Sequence, residues 1–102
     1  MSNAIYYVSY PLKEGASVAD FLLAAEKLNN EFISKQKGYV SWQQVRDGDI
    51  WADVLTFETM ADLENFKTVS ENPSELAEEF YAFMNLNPKL CKMHVFSVER
   101  SY

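Results

Sequence analysis

The sequence holds one cysteine, Cys91, and one histidine, His94. A single thiol excludes an internal disulfide and any metal site built on several cysteines. It also suits a reduced, cytoplasmic setting. Glycine occurs only three times in 102 residues, and no glycine-rich phosphate loop, nucleophile elbow or paired-histidine motif is present. No apolar run approaches the roughly 20 residues that span a bilayer, and no basic leader with an apolar stretch behind it marks a signal peptide. Positive charge is scarce as well: nine Lys and Arg stand against fifteen Asp and Glu, for a net charge of −6. Without a basic cluster, a nucleic-acid backbone or an anionic membrane would be repelled. The acids Glu71, Glu75, Glu78 and Glu79 read as a solvated helix face, and we expect neither a metal nor a cofactor.

What the sequence has in quantity is ring and aliphatic side chain. Its hydrophobic fraction of 48% suits one globular domain over residues 1–102, and aromatics reach 15%, with seven Phe, six Tyr and two Trp. Such rings serve as core filler or as the lining of an apolar pocket.

Ile5 to Tyr10 reads as a strand stopped by Pro11. Ser17 then caps a helix, with Asp20 three residues on and Val18, Phe21, Leu22, Ala25, Leu28, Phe32 and Ile33 at helical spacing. Gly38 ends it. Two strands, Tyr39 to Arg46 and Ile50 to Phe57, flank the hairpin signal Asp47-Gly48. Thr59 caps a second helix. It restarts at Asn72-Pro73, with Asn72 as the fresh cap, and stops at Asn87-Pro88. A last strand runs from Leu90 to Glu99. The order predicts a ferredoxin-like βαββαβ domain of the α+β class, a four-stranded antiparallel sheet with both helices on one face.

A turn at Asp47-Gly48 sets Arg46 opposite Asp49, Gln44 opposite Trp51, Trp42 opposite Asp53 and Val40 opposite Leu55. Paired residues share a face, so Val40, Trp42, Gln44, Arg46, Trp51, Asp53, Leu55 and Phe57 form one side. Ser41, Val45, Ile50, Ala52 and Val54 form the other. The small, β-branched set suits the underside of helices, which would leave the rings on the bare face. So much exposed apolar surface calls for cover by a second copy.

The stretch Asp47-Gly48-Asp49-Ile50-Trp51-Ala52-Asp53-Val54, the Phe57-Glu58-Thr59 helix start and the closing Met93-His94-Val95-Phe96 resemble the dimeric α+β barrel superfamily, in particular its antibiotic biosynthesis monooxygenase-like group. That resemblance implies two subunits packed sheet to sheet and a barrel cavity able to hold an aromatic ligand. It also implies activities such as cofactor-independent oxygenation or haem cleavage. Phe57 stands where the group often has a pocket Trp. Haem-degrading members carry a histidine on the second helix, and none occurs here between Met60 and Leu86.

Asp53 is the first candidate for chemistry. A carboxylate among rings loses hydration, so its pKa should rise into the range of a general base. The other reading pairs it with Arg46, Arg100 or a backbone group that holds a dimer together. Alternation groups His94 with Phe96 and Val98, which places it toward the same cavity as a proton shuttle, or else as a buried structural histidine. Trp42, Gln44, Trp51 and Phe57 would supply ligand-stacking surface and one orienting amide, or plain interface. Cys91 reads as packing. Together these residues predict a small-ligand protein, with cofactor-independent monooxygenation of an aromatic compound as the leading activity. The alternatives are a non-catalytic binding or dimerisation module and a proton-transfer enzyme of isomerase or decarboxylase type.

Overall fold

A computed structural model describes residues 2–102. Strand β1 (Ala4–Pro11) leads to α1 (Val18–Glu31), and a 3₁₀ turn (Ile33–Lys35) precedes β2 (Tyr39–Asp47) and β3 (Ile50–Phe57). Then follow α2 (Met60–Ser70), α3 (Glu75–Tyr81) and β4 (Lys92–Ser97). The strands form one sheet in the order β2-β3-β1-β4, and every neighbouring pair is antiparallel. The expected α+β, ferredoxin-like fold is therefore present. No helix among the described residues is long and apolar enough to cross a membrane.

Helix starts follow the side chains that can satisfy free backbone N–H groups. Ser17 Oγ accepts from the Asp20 amide at 3.2 Å, and Thr59 Oγ1 accepts from the Asp62 amide at 3.1 Å. The third cap differs from expectation. Ser74 fills it, not Asn72, and its Oγ accepts from the Ala77 amide at 3.3 Å. A helix begun at Pro73 would have buried that hydroxyl's capping ability inside the first turn. Strand β4 also begins later than Leu90, because the Leu90 amide closes a turn onto the Asn87 carbonyl at 2.8 Å.

The hairpin turns one residue later than the sequence suggests. Gly48 takes φ +60° while no non-glycine residue among those described has positive φ, the signature of a type II′ turn centred on Gly48-Asp49. Partners become Asp47 with Ile50, Arg46 with Trp51, Gln44 with Asp53 and Trp42 with Leu55. Each partner moves by two positions, so residues keep their face. A bulge between Tyr39 and Ser41 removes Val40 from the ring-bearing set and brings in Tyr39 opposite Phe57.

The face itself is the main correction. Trp51, Asp53, Leu55 and Phe57 lie beneath the helices, with exposures of 7%, 5%, 5% and 0%. The bare face carries the small set instead: Val45 and Ile50 are 47% and 46% exposed there. Ring size explains the reversal. Phe21 of α1 meets Trp51 edge-on at 5.3 Å, and Phe80 of α3 meets Trp42 edge-on at 5.4 Å. The helices are thus propped away from the sheet by rings on both sides of the gap. Small β-branched residues could not have filled it.

Gly38 is a second place where glycine is required. It has φ +78°, and a Cβ there would collide with the Asp62 carboxylate that accepts from Thr59 Oγ1. Gly38→Ala should cost about 2 kcal/mol, combining left-handed strain with disruption of the α2 cap. Thermal unfolding should show a fall of about 8–16 °C for a domain of this size. A fall under about 2 °C would show that the loop relaxes freely.

Candidate functional site

Strands β1, β2 and β3 converge on Asp53. Its direct partners are Val8 on β1 and Gln44 on β2. The rings that reach it come from the diagonal positions, which long side chains span. Tyr10 donates its hydroxyl to Oδ2 at 2.9 Å, and Trp42 donates Nε1 to Oδ1 at 3.1 Å. Neither arginine takes part. Arg46 lies over the Trp51 ring at 5.1 Å, and Arg100 lies over Tyr102 at 5.5 Å.

A cavity of about 180 Å³ opens between this carboxylate and the helices. Tyr6, Trp42, Asp53, Phe66, Phe80 and Tyr81 form much of its wall, and Asp53 is the one charged side chain among the described residues that line it. Burial raises the Asp53 pKa from 3.8 to about 7, against the donors Tyr10 and Trp42 and the neighbouring Gln44 amide, which all favour the anion. Gln44 approaches without proper hydrogen-bond geometry: its Nε2 is buried and unpartnered. Burial, followed by the nearby Asp53 charge, also raises the hydroxyl pKa of Tyr10 and Tyr6. Tyr81 is raised by burial first, then by Tyr6 and Asp53.

Of the residues singled out from sequence, the fold brings Asp53 and Trp42 together on the cavity wall. Gln44 stands beside them. Trp51 and Phe57 lie in the core behind the wall, Trp51 against Phe21 and Phe57 against Phe66 at 5.3 Å. His94 is on the opposite face, and its expected place in the cavity is corrected accordingly. Its partner across β1 is Tyr7, and it stacks on Phe96 with centroids 5.6 Å apart. Alternation set this group away from the helices, as found, and it is the cavity that lies on the other side of the sheet. Cys91 lines the cavity too, with its thiol 3.3 Å from the Asn85 carbonyl.

Tyr10 is a site residue to which the sequence assigned no face. Tyr6, Val8 and Tyr10 share one face of β1 and pair with Leu55, Asp53 and Trp51, so the β1–β3 register would have revealed it. Phe80 and Tyr81 were visible only as helix residues. Among the described residues, no group of three or more His, Cys, Asp or Glu is arranged to hold a metal ion.

No protein-family model matches the chain, and no curated protein matches it by sequence. Solved structures do match. SnoaB, a cofactor-independent oxygenase from Streptomyces nogalater, superposes with a TM-score of 0.72 at 11% identity, over 99% of this chain and 97% of its own. The monooxygenase ActVA-Orf6 of Streptomyces coelicolor, solved with nanaomycin D, gives 0.66 at 14% identity over 99% and 91%. A candidate antibiotic biosynthesis monooxygenase from Bacillus cereus gives 0.64 at 14% identity over 100% and 96%. At these identities the likeness is one of fold. The chain has the α+β fold of the antibiotic biosynthesis monooxygenase-like proteins, as the sequence resemblance implied.

Proposed function

We propose that the chain is a cofactor-independent monooxygenase that oxidises an aromatic compound bound between the sheet and the helices. One observation carries the reading: a buried carboxyl with a pKa of about 7 stands as the charged group on an otherwise apolar cavity wall. A base poised there takes a proton near neutral pH, and a dry wall keeps the resulting anion from being quenched by water. Asp53 accepts the hydroxyl proton of an electron-rich phenol. The phenolate gives one electron to dioxygen, and the radical pair closes to a carbon-bound peroxide. The ring carbon then loses its hydrogen as the O–O bond breaks, so phenol plus dioxygen becomes quinone plus water. Neighbours of the same fold with oxygenase activity support the reading.

The bare sheet face supports a homodimer. Val45, Ile50 and Phe96 are each 46–49% exposed on it, an apolar surface that a second copy would cover. In this arrangement His94 belongs to the interface and Asp53 to the chemistry.

Oxygen consumption with a panel of one-, two- and three-ring phenols tests the activity. Uptake without hydrogen peroxide is expected, since the second oxygen atom leaves as water. Absence of uptake across the panel sinks it. If deuterium from solvent then enters the bound compound at carbon, the same base serves proton transfer alone.

A further inference from the structure

We infer that the cavity selects compact phenols, one aromatic ring with small substituents, and rejects three fused rings. The inference rests on the proposed oxidation at the same site and specifies the compound it takes. The first ground is size. At about 180 Å³, the space slightly exceeds an engineered apolar cavity of about 150 Å³ that holds benzene in another protein. It falls short of the roughly 300 Å³ at which sites for drug-sized ligands begin.

The second ground is that the wall is locked. Phe80 stacks on Phe21 with centroids 5.1 Å apart and is met edge-on by Trp42. Phe66 is held between Tyr6 at 6.3 Å and Phe57 at 5.3 Å. These rings come from α1, α2, α3 and three strands, so widening the space breaks contacts between several elements at once. Close-packed interiors resist that kind of yielding.

The third ground is polarity. Tyr10 and Trp42 each occupy one lone pair of a different Asp53 oxygen, and a carboxylate has about four such sites. A ligand hydroxyl can therefore donate to a remaining one. Leu28, Ile33 and Leu55 offer the ring only apolar surface, so a ligand without that hydroxyl leaves the buried carboxylate with an unused acceptor.

The Trp42 indole N–H, bonded to Asp53, is the reporter. Nitrogen-15 labelled protein at pH 8 is titrated with 4-methoxyphenol, 1,4-dimethoxybenzene, 1-naphthol and 2-anthrol. The indole signal should move and saturate with 4-methoxyphenol, and 1,4-dimethoxybenzene and 2-anthrol should each bind at least tenfold more weakly. Phe66→Leu should shift the preference toward 1-naphthol by roughly tenfold, the scale on which small volume changes act in apolar pockets. Wild-type protein alone decides the matter should that variant unfold. Binding of 2-anthrol as tight as that of 4-methoxyphenol overturns the size limit, and equal binding of 1,4-dimethoxybenzene overturns the hydroxyl requirement. Compact phenols that bind without oxygen uptake would remove the monooxygenase and leave the selection standing. Three-ring phenols bound and oxidised would do the reverse, and a silent Trp42 signal throughout would remove both.

Discussion

Asp53→Asn should lower the rate of oxygen uptake by roughly a hundredfold to ten-thousandfold, the usual range for losing a positioned general base, and should also remove a pH dependence from the stability of the fold. Asparagine keeps the shape of the carboxyl and can still accept from Trp42 or Tyr10, so the fold should survive. It cannot take a proton. In the native protein the rate should rise with pH through about 7, as the Asp53 carboxyl becomes a base. Stability should move the other way. Below about pH 4 the carboxyl is protonated in the folded and unfolded chain alike, and its burial carries no ionisation penalty. Between the ordinary value of 3.8 and about 7, the unfolded chain releases the proton while the folded chain keeps it. Stability is lost over that window, by about 4 kcal/mol when complete.

Guanidinium unfolding at pH 4.5, 6 and 8 on both proteins isolates the effect, since other carboxyls contribute equally to each. The native protein should lose ground to the variant steadily across the series. A constant difference would mean that Asp53 has an ordinary acidic pKa, and the base role would fall with it. The opposed slopes have one cause. The charge that Asp53 needs in order to act as the proposed base is the charge that burial disfavours, so such a site would be held at the expense of stability.

The alternation of the hairpin was legible in the sequence, because it depends only on period two and survives a two-position change of partner. Trp42, Gln44, Asp53 and Leu55 do share a face. Which face it is was not legible. That choice depends on how far α1 and α3 stand from the sheet, and the distance is set by Phe21 and Phe80, whose partners on the strands no local pattern names. The reversal carried Asp53 beneath the helices, away from the face that His94 keeps, without disturbing either's neighbours in the strand. Asp53 gained the expected ring environment from helices of its own chain, while His94 stayed on the bare face with Tyr7 and Phe96. The role of Tyr10 was not legible because it exists only through the β1–β3 register, a pairing of residues 43 positions apart.

Phe80→Ala should destabilise the protein by about 3–5 kcal/mol, the cost of deleting a buried ring from a core that cannot collapse. Phe80 is 3% exposed and touches rings from α1 and β2 as well as Tyr81 beside it. Collapse is hindered because its neighbours are held by other contacts: Phe21 by Tyr10 and Trp51, Trp42 by Asp53. The loss should also be uneven. Helix α3 has seven residues, too few to persist without tertiary packing, and Phe80 is its firmest attachment to the rest of the fold. Amide exchange in α3 should accelerate more than exchange in β1 and β3, and the melting temperature should fall by about 15–30 °C. Leu23→Ala, on the outer side of α1 and 63% exposed, should change stability by no more than about 0.5 kcal/mol. If Phe80→Ala cost under about 1 kcal/mol, the helix would be free to shift. The cavity wall would then yield to larger ligands, and discrimination against three-ring phenols would have to arise from something other than size.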